Sequence, residues 1–308
     1  MNIQQLEYIL AVEEHQSFSK AAEAKFISQP ALSMMIQKLE EELDLKLFDR
    51  SKKPITSTEV GKPILEQARV VLREMSKLHE INRAQKKILE GELSIGIIPT
   101  LAPYLLPLFI KPFLKKFPHI HLKIYEYTTE VIVDKIKKGL LDVGLLVTPL
   151  PHKFIHEIPL FNESFFVYAH DLIEKNYLLP EDINPDELWL LEEGHCFRSQ
   201  ILNLCELRKK SNSQFEFEAG SIDTLIKIVD HQNGVTIVPE LATFTMSKKQ
   251  LKHLRPFAPP VPVREVSLVT HKDFVKKSLI EALKKEVLDS LPQLPEKGEI
   301  NRVEIGRI

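Results

Sequence analysis

Between Gly61 and Glu90 the apolar residues Ile64, Ala68, Val71, Met75 and Leu78 recur in steps of four, three, four and three. This is the spacing of a heptad seam on one continuous helix. Such a helix is about 45 Å long at 1.5 Å per residue, and its apolar stripe is too narrow for an element buried in one globule. It reads as a linker that pairs two copies of the chain; the alternative is an amphipathic helix packed on its own domain. The helix, residues 61–90, divides the chain into a first domain over 1–60 and a longer region over 91–295, followed by a polar tail over 296–308.

The first 60 residues carry helical periodicity and little strand signal. Leu6, Ile9 and Leu10 mark one helix, Phe18, Ala21 and Ala22 a second, and Leu32, Met35, Ile36, Leu39 and Leu43 a third. Ser28 is suited to cap the third helix, and Pro30 falls in its first turn, where a missing N–H costs nothing. Two short helices before a capped third make a helix-turn-helix unit. The outward face of the third helix presents Gln29, Pro30, Ser33, Gln37 and Lys38, with Met34 beside them. Glutamine pairs bidentately with adenine, and serine bonds several base edges. Arg50, Lys52 and Lys53 follow as a compact cluster suited to phosphates. The net charge is −2, and residues 1–90 hold 14 Lys+Arg against 14 Asp+Glu, so any DNA contact comes from a local patch. An ordinary solvated polar face fits the same pattern.

From Glu92 onward strands alternate with helices. Strand patterns cover Leu93–Ile98, Leu122–Tyr127, Val143–Val147, Phe165–Ala169, Val235–Val238 and Val266–Val269. Helical patterns cover Leu105–Phe117, Val131–Gly139, Phe197–Lys209, Ile222–His231 and Phe274–Leu288. This alternation indicates a doubly wound α/β architecture with two lobes and a cleft. Ligands in such folds bind beyond the carboxyl ends of strands, here near Pro99–Thr100 and Thr128–Thr129. Hydrophobic residues make up 44% and charged residues 27% of the 308, which excludes disordered, collagenous and disulfide-rich scaffolds. No apolar run approaches the ~20 residues of a membrane span. Met1 to His15 has no Lys or Arg, unlike a signal peptide, so the expected location is the cytoplasm, with no membrane partner. The pairs His119/His121 and His152/His156 lack a cysteine nearby, and no glycine-rich phosphate loop occurs, so neither metal nor cofactor is expected.

The two cysteines are Cys196 and Cys205, in the string EEGHCFRSQILNLC. Phe197, Ile201, Leu204 and Leu207 make a short amphipathic helix with Cys196 at its N-terminus. There the helix dipole, Arg198 and a protonated His195 favour thiolate, while Glu192 and Glu193 oppose it. Nine residues of helix hold the two Cα atoms roughly 13 Å apart. A disulfide needs roughly 4.4–6.8 Å, so bonding the thiols requires the helix to unwind or fold back. The plain alternative is two inert buried thiols.

Leu6 to Gly61 strongly resembles the winged helix-turn-helix of LysR-type transcriptional regulators. The resemblance is carried by Ser17-Phe18-Ser19-Lys20-Ala21-Ala22, Ser28-Gln29-Pro30-Ala31-Leu32-Ser33, Leu39-Glu40 and Leu47-Phe48-Asp49-Arg50. It implies a recognition helix near 29–40, a wing near Arg50 to Thr58, the linker helix, and a two-lobed regulatory domain like a periplasmic binding protein. Ser57 stands where the family more often has an apolar residue. The cysteine string and IPTLAPYLLP (Ile98–Pro107) resemble the hydrogen-peroxide-sensing, OxyR-like branch. That resemblance implies a peroxidatic Cys196 and a resolving Cys205, with Thr100 and Thr129 lining the peroxide pocket and His195 and Arg198 activating the sulfur. It further implies a tetramer on a pseudo-palindromic operator, activation of antioxidant genes, and reduction by cellular thiols. A LysR-type regulator with incidental cysteines and a small metabolite in its cleft is the second reading. A thiol peroxidase or oxidoreductase is the third, and it leaves the N-terminal domain unexplained.

Overall fold

The structure is a computed structural model that describes residues 1–86, 89–170, 175–192, 196–205, 219–292 and 302–304. Two compact units divide at Ile88/Leu89. In the first, α1 (Ile3–His15), α2 (Phe18–Ala24) and α3 (Gln29–Glu42) are each N-capped by a side-chain oxygen, from Asn2, Ser17 and Ser28. Each cap satisfies a backbone N–H that the first helical turn leaves without a partner. Their apolar faces meet in a core that includes Leu6, Ile9, Val12, Ala21, Leu32, Ile36 and Leu39. The wing is the antiparallel pair β1 (Phe48–Asp49) and β2 (Thr56–Ser57), in which Phe48 faces Ser57. Ser57 is therefore accommodated as a paired strand residue.

Helix α4 spans Gly61–Lys86. It stops short of the expected Glu90, because Leu89 and Glu90 already lead into the next strand. Leu65 and Ala68 are buried in the first unit's core, with Ile64, Val71 and Leu72 packed against it. Arg69 pairs with Glu13 of α1. The early part of the seam thus serves its own domain, whereas Leu78 further along is 68% exposed.

The second unit is built on β3 (Gly91–Ile97), α5 (Ala102–Lys116), β4 (Ile120–Glu126), α6 (Thr129–Lys137), β5 (Val143–Thr148) and β6 (Ile155–Ala169). Then come α7 (Cys196–Leu204), α8 (Ile222–Gln232), β7 (Val235–Pro239), α9 (Glu240–Thr243), α10 (Lys248–Leu251), β8 (Leu254–Pro256), β9 (Val261–His271), α11 (Lys277–Asp289) and β10 (Arg302–Glu304). The strand order is β4-β3-β5-β9-β6-β7, with β8 on β6 and β10 on β9. β3 runs parallel to β4 and β5, but β9 and β6 enter antiparallel, so the sheet is mixed rather than uniformly doubly wound. β6 is the long connector. Residues 155–164 pair with β9, and residues 165–169 pair with β7. Two groups of elements, one around β3–β5 and one around β7 and β8, share these crossing strands and give the two-lobed plan. Among the described residues no helix is long and apolar enough to cross a membrane.

Candidate functional site

Cys196 is the first residue of α7 and is half-buried; Cys205 follows the helix, its N–H bonded to Ile201 O at 3.0 Å. Both thiols are free. The helix is seated by Phe197, fully buried and edge-on to Phe165 with ring centroids 5.4 Å apart. The nine residues Cys196–Leu204 are continuous helix, so the thiols stand at opposite ends, beyond the reach of a disulfide. The expected continuation to Lys209 falls on residues outside those described, as does His195.

Loops at the carboxyl ends of β3 and β4 bring Thr100 and Thr129 to the same place as the N-terminus of α7. Thr129 opens α6 close enough to Cys196 for its hydroxyl to favour the thiolate. Its Oγ1 is shut away from solvent with no hydrogen-bond partner among the described residues. Thr100 is buried, and its Oγ1 accepts from Arg264 Nη1 at 2.9 Å. That bond leaves the hydroxyl hydrogen of Thr100 available to donate.

Arg264 is the residue that sequence reasoning missed. It lies on β9, fully buried, with Nε on Glu163 Oε2 at 2.7 Å and Nη2 on the Thr100 carbonyl at 3.2 Å. Its guanidinium carbon lies 5.2 Å from the centroid of the Phe197 ring. Glu163 is equally buried, and its other oxygen accepts from Leu241 N at 2.9 Å. Nearby, Tyr104 on α5 donates to Asp223 on α8 at 2.9 Å, and burial holds its hydroxyl protonated far above the usual phenol range. Burial also pushes the Cys196 thiol up. The Arg264 guanidinium, the Thr129 hydroxyl and the Phe197 amide pull it back, and the Glu130 carboxylate adds a smaller upward push. Cys205 is pushed up to about 11 by burial. Arg198, expected beside the sulfur, donates Nη1 to the Leu191 carbonyl at 2.6 Å and so anchors α7. Among the described residues, the cation that pulls the Cys196 thiol down is Arg264.

In the first unit, Gln29, Pro30, Gln37, Lys38, Lys52 and Lys53 are all exposed. Lys52 also pairs with Asp49 at 3.7 Å. Ser33 and Arg50 are instead joined to each other, Arg50 Nη1 donating to Ser33 Oγ at 3.2 Å. Arg50 Nη2 reaches Glu40 Oε2 at 3.3 Å, and the guanidinium carbon lies 4.6 Å from the Phe18 ring centroid. Glu40 is 1% exposed and also accepts from Leu47 N at 2.8 Å. Arg50 therefore fastens α3 to the wing while one side remains open to solvent. Arg50→Ala is expected to lower the stability of the full chain by about 1–2 kcal/mol in urea denaturation, because Glu40 keeps Lys46 and the Leu47 amide as partners. An unchanged urea midpoint would leave Arg50 as a phosphate ligand alone.

Residues 3–62 match the bacterial regulatory helix-turn-helix protein, lysR family, and residues 86–292 match the LysR substrate binding domain. The chain belongs to the LysR family. Several of its relatives within that family are named OxyR or hydrogen peroxide-inducible genes activator. A hydrogen peroxide-inducible genes activator of Haemophilus influenzae is 38% identical over 276 residues, 87% of this chain and 90% of the relative. The DNA-binding transcriptional dual regulator OxyR of Escherichia coli K12 is 34% identical over 272 residues, 87% of this chain and 89% of the relative. Among solved structures, a full-length OxyR variant from Pseudomonas aeruginosa superposes with a TM-score of 0.80 at 32% identity, covering 94% of this chain and 99% of that one. A hydrogen peroxide-bound OxyR variant of Corynebacterium glutamicum gives a TM-score of 0.62 at 26% identity, covering 94% and 92%. Helix α3 lies within the segment that matches the family's helix-turn-helix. The thiol pocket lies within the segment that matches the family's substrate binding domain.

Proposed function

We propose that this regulator senses hydrogen peroxide through Cys196 and stores the signal as a Cys196–Cys205 disulfide. The observation that carries the reading is a lone thiol at a helix N-terminus, set among Thr100, Thr129 and the buried Arg264, with its second thiol one whole helix away. The Cys196 sulfur attacks one peroxide oxygen: an S–O bond forms, the O–O bond breaks, and the departing hydroxide takes up the thiol proton as water. The threonine hydroxyls and Arg264 hold the peroxide and the leaving oxygen. Cys205 then attacks the sulfenic sulfur; the S–S bond forms, the S–O bond breaks, and a second water leaves. The sulfur pair loses two electrons and the peroxide gains them. A dithiol reductant of the cell returns both electrons and resets the regulator, which acts as a stoichiometric switch rather than an enzyme.

Because the disulfide cannot form across an intact α7, oxidation remodels the segment and rearranges the regulatory domain. Exposed Leu78 supports pairing of two copies through the far half of α4, and the family resemblance supports a tetramer. Dimeric helix-turn-helix units imply a pseudo-palindromic operator read in successive major grooves, in the cytoplasm. Non-reducing peptide mapping of the reduced full chain after near-stoichiometric peroxide tests the chemistry. A Cys196–Cys205 peptide pair is expected within seconds to minutes. Two free thiols throughout would end this reading and turn attention to a small metabolite.

A further inference from the structure

The outward face of α3 holds a large apolar side chain that folding does not use. At about 100° per residue, Leu32, Ile36, Leu39 and Glu40 gather on one side of the helix, and Met34 lies within about 10° of the point diametrically opposite. The four are each at most 1% exposed, whereas Met34 is 53% exposed. Its neighbour Met35 packs against the domain core instead. The polar side chains around Met34 are partly engaged already. Ser33 Oγ accepts from Arg50 at 3.2 Å, and Gln37 Nε2 donates one of its amide hydrogens to Glu41 Oε1 at 2.9 Å. The side chain that projects furthest from the core is therefore an unbranched, polarisable thioether. In the major groove the apolar feature of a base edge is the C5-methyl group of thymine.

We propose that Met34 reads a thymine methyl group and so fixes this chain's base preference at one position of each operator half-site. The inference rests on α3 being the DNA-facing helix. The test uses the full-length protein and a duplex that the protein itself selects from a random-sequence pool. Thymines of that duplex are replaced by deoxyuridine, one symmetry-related pair at a time, which deletes the methyl and leaves every hydrogen-bonding group. Burial of one methyl predicts a loss of about 4-fold per half-site, or about 15-fold for a pair. Met34→Ala should lose comparable affinity and become indifferent to that replacement, while Met34→Leu should keep the sensitivity. Because Met34 is exposed, thermal unfolding of both variants should match the parent. The proposal is overturned if no thymine pair is sensitive, or if the sensitive pair stays sensitive in Met34→Ala. A Gln29→Ala control separates the two levels. Weakened binding by that variant, without any methyl effect, sinks the Met34 contact alone; no effect from either residue removes α3 from the groove altogether.

Discussion

Cys196→Ser should abolish the peroxide response outright, with no disulfide at any dose and no change in target expression, while operator binding by the reduced form is retained. A serine hydroxyl is isosteric with the thiol but is not a nucleophile toward an O–O bond near neutral pH. The substitution also leaves Phe197 in its buried seat, so α7 should remain folded. Cys205→Ser is the informative companion. With no second thiol to displace the S–O oxygen, a sulfenic acid at Cys196 should accumulate and be trapped by dimedone within minutes of peroxide addition. A normal transcriptional response from Cys196→Ser would sink the sensor role. Absence of a dimedone adduct in Cys205→Ser would show that Cys205 is not the resolving thiol.

Arg264→Met should be the most damaging substitution to stability. It fills the guanidinium's space with an apolar side chain and leaves the Glu163 carboxyl at 0% exposure without its cation. Breaking a fully buried pair from one side costs about 3–5 kcal/mol. For a unit of this size that is a fall in melting temperature of roughly 6–20 °C. The double variant Arg264→Met/Glu163→Gln should recover a large part of the loss, because the buried charge is then gone from both sides. Reactivity should not recover with it. Both variants lack the cation that pulls the Cys196 thiol down and the donor that orients Thr100, so peroxide oxidation should be slowed at least tenfold in each. Stopped-flow oxidation beside calorimetry separates the two effects. A double variant that regains stability and also oxidises at the parent rate would remove Arg264 from the chemistry and leave it as packing.

Local signals made the helical domain legible. Ser28 and Pro30 mark the start of α3, and Leu32, Ile36 and Leu39 repeat at helical spacing with no need of distant partners. The separation of the two thiols was equally legible, since it follows from nine residues of one helix. Arg264 was not. Its meaning depends on Glu163 and Thr100, 101 and 164 residues away in the chain, and within VPVREVSLV it is one of two adjacent charges, Arg264 and Glu265, in an otherwise apolar strand. Strand neighbours point to opposite faces, so one of the two charges must face the core, and that is the available signal. The first half of β6 was hidden for a different reason. Pro159 interrupts it, and its pairing with β9 shifts register between Pro159 and Phe161, so no clean alternation survives in the sequence. Only half of Arg50 was legible. Its run with Lys52 and Lys53 suggests phosphate binding, but nothing local announces that Glu40, ten positions earlier, also holds its guanidinium.

The short helix between the two thiols would also give the proposed disulfide its timing. Buried Phe197 and Ile201 hold the nine residues of α7 in the core, so freeing Cys196 to meet Cys205 is a local unfolding event, which takes microseconds to seconds. Once the bond had formed, the original helix could not re-form until a reductant met it, and uncatalysed disulfide rearrangement runs on minutes to hours. A switch built this way would be asymmetric in time: quick to answer a brief pulse, and slow to lose the record of it after the oxidant has gone.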